Sequence, residues 1–106
     1  MKYTMKIDGQ SHRFVVFNLC SQNGYSDYEG FVNGDLTLDM AAVVDRVKAM
    51  GFRIDAWNNQ LCLAQNDHLY LTIYPSGRII LERVPGNDPK DALPYFQQAL
   101  GSRIER

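Results

Sequence analysis

Two cysteines and two histidines, Cys20, Cys62, His12 and His68, are the residues of this 106-residue chain with the most chemical potential. Two thiolates and two imidazoles would suffice for a tetrahedral zinc ion. Their separations match no zinc signature, in which ligands come in pairs a few residues apart. No metal and no other cofactor is therefore expected. Cys62, His68 and Asp55 would make an activated thiolate if the imidazole took the thiol proton and the carboxylate oriented the imidazole. Nothing in their spacing brings the three together and there is no nucleophile elbow, so no catalytic residue is assigned. Gly24, Gly30 and Gly34 do not have the spacing of a phosphate loop or a dinucleotide fingerprint. The stretch GYSDYEGFVNGDLTLD collects Asp27, Glu29, Asp35 and Asp39 around Tyr25, Tyr28 and Phe31. It would suit a cation or a basic partner, but it lacks calcium-loop spacing. Its aromatic residues point instead to a flap packed over a sheet edge or against a partner subunit.

Bulk properties narrow the field further. The chain is 45% hydrophobic and 22% charged, ordinary values for a soluble globular protein. Its length suits one domain, 1–106, able to build a core without metal or disulfides. Eleven basic and twelve acidic residues leave a net charge of −1, so no global field draws the chain to nucleic acid or to an anionic membrane. The opening MKYTMKIDGQ has no apolar run behind its lysines and does not read as a signal peptide. No stretch approaches the roughly 20 apolar residues that span a bilayer. Two free, widely separated thiols fit a reducing cytoplasm.

The elements that must position any site follow from periodicity. Tyr3, Met5 and Ile7 alternate with polar neighbours before an Asp8-Gly9 turn, and RFVVFNLC reads as a buried central strand. Residues 21 to 36 are rich in Gly, Asn, Ser and Asp and are expected to form a long loop. Met40, Val43, Val44, Val47 and Met50 recur at helical spacing, with Thr37 as the expected cap, Asp39 in the first turn and Gly51 as the left-handed stop. From Phe52 onward the period is two. Phe52, Ile54 and Ala56 lead to a turn at Asn58-Asn59, Leu61 and Leu63 return on the apolar side, and Gln65-Asn66-Asp67 turns again. In HLYLTIYPSGRIILER, Pro75-Ser76-Gly77 fits a three-residue loop that places Ile73 beside Ile79 and Leu71 beside Leu81. A last helix is expected from near Asp91, with Pro94 in its first turn and Leu93, Phe96, Ala99 and Leu100 buried; Ser102 to Arg106 should fray.

This order predicts an α+β domain: a single curved antiparallel sheet of about five to six strands with two helices packed on one face. The hairpin TIYPSGRIIL at 72–81, with the order strand, helix, meander, helix, resembles one half-repeat of the TATA-binding-protein family over about Arg13 to Leu100. The resemblance implies the fold, with an open sheet face. It does not extend to minor-groove recognition, because there is one half here, residues 14 to 45 contain no Lys or Arg, and Asp55 and Glu82 fall on the open face.

By alternation the open face is expected to display Arg53, Trp57, Cys62, His68, Tyr70, Thr72, Tyr74, Arg78 and Ile80 as a binding surface, with Val84 at its end. Aromatic residues with Arg and few Lys are the composition of an interaction surface. The expected function is therefore a small non-enzymatic interaction domain in which this face meets a protein partner or a second copy. The alternatives are single-stranded nucleic acid stacked on Tyr70 and Trp57, and a small ligand or substrate held by Cys62 and His68.

Overall fold

The computed structural model describes residues 1–105. In chain order it contains β1 (Lys2–Ile7), β2 (Gln10–Gln22), β3 (Tyr25–Asn33), α1 (Met40–Ala49), β4 (Arg53–Asn58), β5 (Leu61–Gln65), β6 (Tyr70–Ile73), β7 (Ile79–Pro85), a 3-10 turn at Pro89–Asp91, α2 (Leu93–Leu100) and β8 (Ser102–Glu105). All eight strands belong to one antiparallel sheet in the order β4-β5-β6-β7-β3-β2-β1-β8. The architecture is α+β as the periodicity predicts, but the sheet has eight strands rather than five to six.

The two extra strands are β3 and β8. The segment expected to be a long loop pairs along nearly its whole length with β2, from Gln22↔Tyr25 to Arg13↔Asn33. Asn23 (φ 56°) and Gly24 (φ 83°) are both left-handed, which makes the primed two-residue turn whose twist matches a hairpin. Beyond it, Ser26, Tyr28, Gly30 and Val32 are buried in alternation. The Gly and Ser that read as loop residues are small core-facing positions. Gly30 lies where the Phe14 ring crosses the strand, and Phe14 meets Phe96 edge-on at 5.8 Å between centroids. Of the C-terminal segment expected to fray, Arg106 lies outside the described residues, and Ser102–Glu105 adds to the sheet edge, with Ile104 opposite Met5. Gln97 anchors it by accepting the Ile104 N–H at 3.1 Å.

Helix α1 is capped by Asp39, whose carboxylate accepts the Ala41 and Ala42 N–H groups, rather than by Thr37. The chain before it is extended and pinned by the Leu38 N–H to the Pro75 carbonyl at 2.8 Å, so the helix cannot begin earlier. The expected stop at Gly51 has φ 90°. Met40, Val43, Val44 and Val47 are buried as one stripe. Pro94 sits in the first turn of α2, and Leu93, Phe96, Ala99 and Leu100 are buried as expected. The Arg46 Nε–H donates to the Ala99 carbonyl at 3.0 Å and ties the helices side by side. Both therefore cover the same face, over Phe14, Tyr28, Leu71, Ile73, Ile79 and Leu81.

In the 70–81 hairpin the register is the expected one, with Leu71↔Leu81 and Ile73↔Ile79. Tyr74 N–H donates to Arg78 O, Gly77 N–H donates to Tyr74 O, and Gly77 is left-handed at φ 88°. Among the described residues no helix is long and apolar enough to cross a membrane.

Candidate interaction surface

With both helices on one side, the opposite face of the sheet is bare, and the pairing registers arrange its side chains in rows. One row runs across five strands: Leu63 of β5, Thr72 of β6, Ile80 of β7, Glu29 of β3 and Phe17 of β2. The next row includes Phe31 and Val15, which are paired. The Phe31 ring leans on Phe17 at 5.4 Å between centroids. Phe17 and Leu63 remain 47% and 36% exposed, so this band of the face holds apolar side chains in water, interleaved with Thr72 and Glu29.

Charged and aromatic groups flank the band. On one side lie Arg53, Gln65, Tyr70 and Glu82, connected by cross-strand pairing. Asp55 joins that side by accepting the Gln65 Nε2–H at 2.8 Å and facing Arg53 Nε at 3.6 Å. On the other side Arg78 donates to Glu29 Oε1 at 2.8 Å and lies over the Tyr74 ring at 5.1 Å. The hydrogen bond to Glu29, and then its charge, push the Arg78 guanidinium still further from deprotonation. These contacts fix Arg78 and Tyr74 at modest energy, because surface ion pairs contribute about 0–1 kcal/mol.

Three bulges interrupt the pairing, one in β2 at Leu19 and two that bear on the expected face. In β7 the residues Glu82 and Arg83 together oppose Asp27. Arg83 takes φ 70°, its N–H donates to Asp27 Oδ1 at 2.9 Å, and its guanidinium lies 5.9 Å from the Tyr70 ring centre. The extra residue turns Val84 inward, where it is buried rather than on the open face. In β4 the bulge falls at Asp55, between Ile54 and Ala56, and reverses the alternation beyond it.

The consequences for the expected site are specific. Arg53, Tyr70, Thr72, Tyr74, Arg78 and Ile80 lie on the bare face. Trp57 and Cys62 do not: they pair with each other, and Cys62 pairs with core-facing Ile73, so both lie on the helix side. Cys62 is fully buried, whereas Trp57, out on the edge strand β4, is 47% exposed. The physical reason is size. Helix α1 needs the small Cys62 and Ala64 beneath it, so Leu61 and Leu63, the larger and more apolar choices, are turned away from the core. His68 is not on a strand; it occupies the β5–β6 turn, where its N–H donates to Asn66 Oδ1 at 2.9 Å.

Cys62, His68 and Asp55 are therefore on one face, in a turn and on the other face, and do not converge. Among the described residues no three His, Cys, Asp or Glu side chains gather as metal donors would. Phe17, Phe31, Val15, Leu63 and Glu29 are the surface residues that sequence reasoning missed. Asn23-Gly24 was the signal that would have exposed β3, and with it the division of FVVF into Phe14 and Val16 inside and Val15 and Phe17 outside.

Burial pushes the Cys62 thiol above its ordinary value. Only the unfolded chain can then ionise this group readily as pH rises, so its effect on stability is absent at neutral pH and turns unfavourable once pH passes the ordinary thiol range. Cys20 is exposed. A disulfide-exchange reagent is expected to titrate one thiol per native chain and the second only after denaturant is added. Two fast equivalents in the native state would contradict the placement of Cys62. Comparison with protein-family models, curated proteins and solved structures finds no match for this chain.

Proposed function

We propose that residues 1–106 act as a single non-enzymatic interaction domain whose bare sheet face receives a protein surface. The observation that supports this reading is the apolar band Leu63–Ile80–Phe17–Phe31 crossing the uncovered side. Exposed apolar and aromatic side chains spread over several strands and interleaved with polar groups are the composition of an interaction surface. Tyr70, Tyr74, Arg78 and Arg53 belong to its rim. The resemblance to half of a TATA-binding protein agrees with a sheet whose open side does the binding. Nucleic acid is the less favoured occupant, because Glu29, Asp27, Glu82 and Asp55 share the face with its arginines and would meet phosphates. The separation of Cys62 from His68 leaves a ligand or substrate site at that pair without support. An exposed Cys20 thiol and a second free thiol suit a cytoplasmic location.

The test is amide NMR of isotope-labelled protein titrated with clarified cell extract. Broadening should be confined to open-face residues of β2, β3, β5, β6 and β7. It should survive nuclease, disappear when the extract is digested with protease, and be lost in Phe17→Asp. Loss on nuclease treatment would favour the nucleic-acid reading. An unperturbed open face, in extract and at millimolar protein alone, would end the proposal.

A further inference from the structure

Along β7 the bare face carries a charge pattern that complements itself. Along β7 and the turn before it the outward residues are Arg78, Ile80 and Glu82, while Ile79 and Leu81 point into the core. Arg78 and Glu82 thus stand about 7 Å to either side of Ile80 along the strand. A two-fold axis lying in the interface, along the row Leu63–Thr72–Ile80–Phe17, would carry each side of that row onto the other. Ile80 would then face Ile80, and Leu63 would face Leu63. Arg78 would meet Glu82 of the other copy, twice. Tyr70 of β6 and Tyr74 just beyond it are related in the same way, one on each side of Thr72.

We propose that the occupant of the open face is a second copy of this chain, seated face to face about this axis. The inference rests on the reading of that face as a docking surface and names its partner. Among the described residues Glu82 makes no ion pair within the chain, so its partner is supplied by the symmetry. Glu29, which lies on the axial row, approaches its own symmetry mate. Each Glu29 is held by an Arg78 at 2.8 Å, and that same Arg78 would bridge it to Glu82 of the other copy, so two guanidinium groups would serve four carboxylates. Size is sufficient. The two longer dimensions of the molecule, 38 and 31 Å, enclose at most about 1,200 Å², so the roughly 800 Å² per partner of a standard interface would take up most of the face. Two antiparallel sheets packed this way stand about 10 Å apart with strands within roughly 30°, a gap that Ile, Phe, Tyr and paired Arg–Glu side chains can fill.

Sedimentation velocity across micromolar to millimolar concentration should show a reversible dimer. Ile80→Asp, at a half-exposed position with the fold checked by circular dichroism, should weaken it by about 100-fold or more. Arg78→Glu and Glu82→Arg should each weaken self-association by about 10-fold or more, since each sets like charges opposite one another twice. Mixed in equal amounts, these two variants should recover a dimer, and native mass spectrometry with one chain isotope-labelled should find it to be the heterodimer. In the mixture, the glutamate introduced at position 78 of one variant meets the arginine introduced at position 82 of the other, and the two native charges meet as well. A monomer at millimolar concentration would overturn the second copy as occupant. A dimer indifferent to Ile80→Asp would do the same, as would failure of the mixture to form heterodimers. If self-association is absent while Phe17→Asp still abolishes protease-sensitive broadening in extract, the docking surface stands and only its partner is wrong. If neither occurs, both fail.

Discussion

Gly30→Ala is expected to lower the stability of the chain by about 3 kcal/mol, the upper end of the usual cost of overpacking. A Cβ at this position would sit inside the van der Waals envelope of Phe14 Cζ, 2.9 Å from Phe14 Cε2 and 3.1 Å from Phe96 Cε2. None of these atoms is a free chain end. Phe14 is fully buried and packed edge-on against Phe96, which is fully buried on the core side of α2, so relief for one ring requires displacing the other. In most strands alanine would be preferred to glycine, because glycine loses more backbone entropy on ordering. Here that gain, about 0.5–1 kcal/mol, is outweighed by the contact. The melting midpoint should fall by on the order of 15 °C for a chain of this size. A double-mutant cycle tests the cause. Phe14→Leu makes a cavity and destabilises by itself, but combined with Gly30→Ala it should cost clearly less than the sum of the two, because the added methyl occupies part of the space vacated by the ring. Additive losses would show that the methyl is accommodated elsewhere.

Tyr28→Phe is expected to act in the opposite direction and raise stability by about 1 kcal/mol. Tyr28 is fully buried on the core face of β3, opposite Leu81 and Asn18 in the sheet, and its hydroxyl has no hydrogen-bond partner among the described residues. A buried, unpaired hydroxyl carries its desolvation penalty without return, whereas the ring supplies the packing. Phenylalanine keeps the ring and removes the penalty. The check is the urea midpoint at unchanged m-value, which separates a change in stability from a change in the surface exposed on unfolding. A lower midpoint in the variant would mean that the hydroxyl is satisfied in solution, and would overturn the account of this part of the core.

How much of this was legible beforehand differs from element to element. The 69–81 hairpin was readable in full, because leucine and isoleucine occupy every second position and Pro75-Ser76-Gly77 permits one loop geometry. Both helices were readable from their stripes, but not their caps: that of α1 moved from Thr37 to Asp39, and Asp88 caps the 3-10 turn while α2 starts at Leu93 with no side-chain cap. β3 was missed because its core positions include Ser26 and Gly30, chosen for small volume, and small residues look like loop residues when volume has no context. β8 was missed because a short segment of mixed polarity becomes a strand only when an edge with free hydrogen-bonding groups is waiting for it, as β1 is.

The open face divides along the same line. Tyr70, Thr72, Tyr74, Arg78 and Ile80 were assigned correctly because no irregularity interrupts the alternation between them. Trp57, Cys62 and Val84 were misplaced because single-residue bulges at Asp55 and Arg83 reverse the faces beyond them. Local residue patterns were therefore enough for the helices, the β6–β7 hairpin and its register, and the existence of an uncovered sheet face. Which residues complete that face depended on long-range packing. It placed Cys62 and Ala64 beneath α1, which turned Leu63 outward. It also set β3 between β7 and β2, which brought Glu29, Phe31 and Phe17 into line with Ile80. The reason is physical: alternation is a local property of the backbone, whereas the volume under a helix and the neighbour across a strand are properties of the whole sheet.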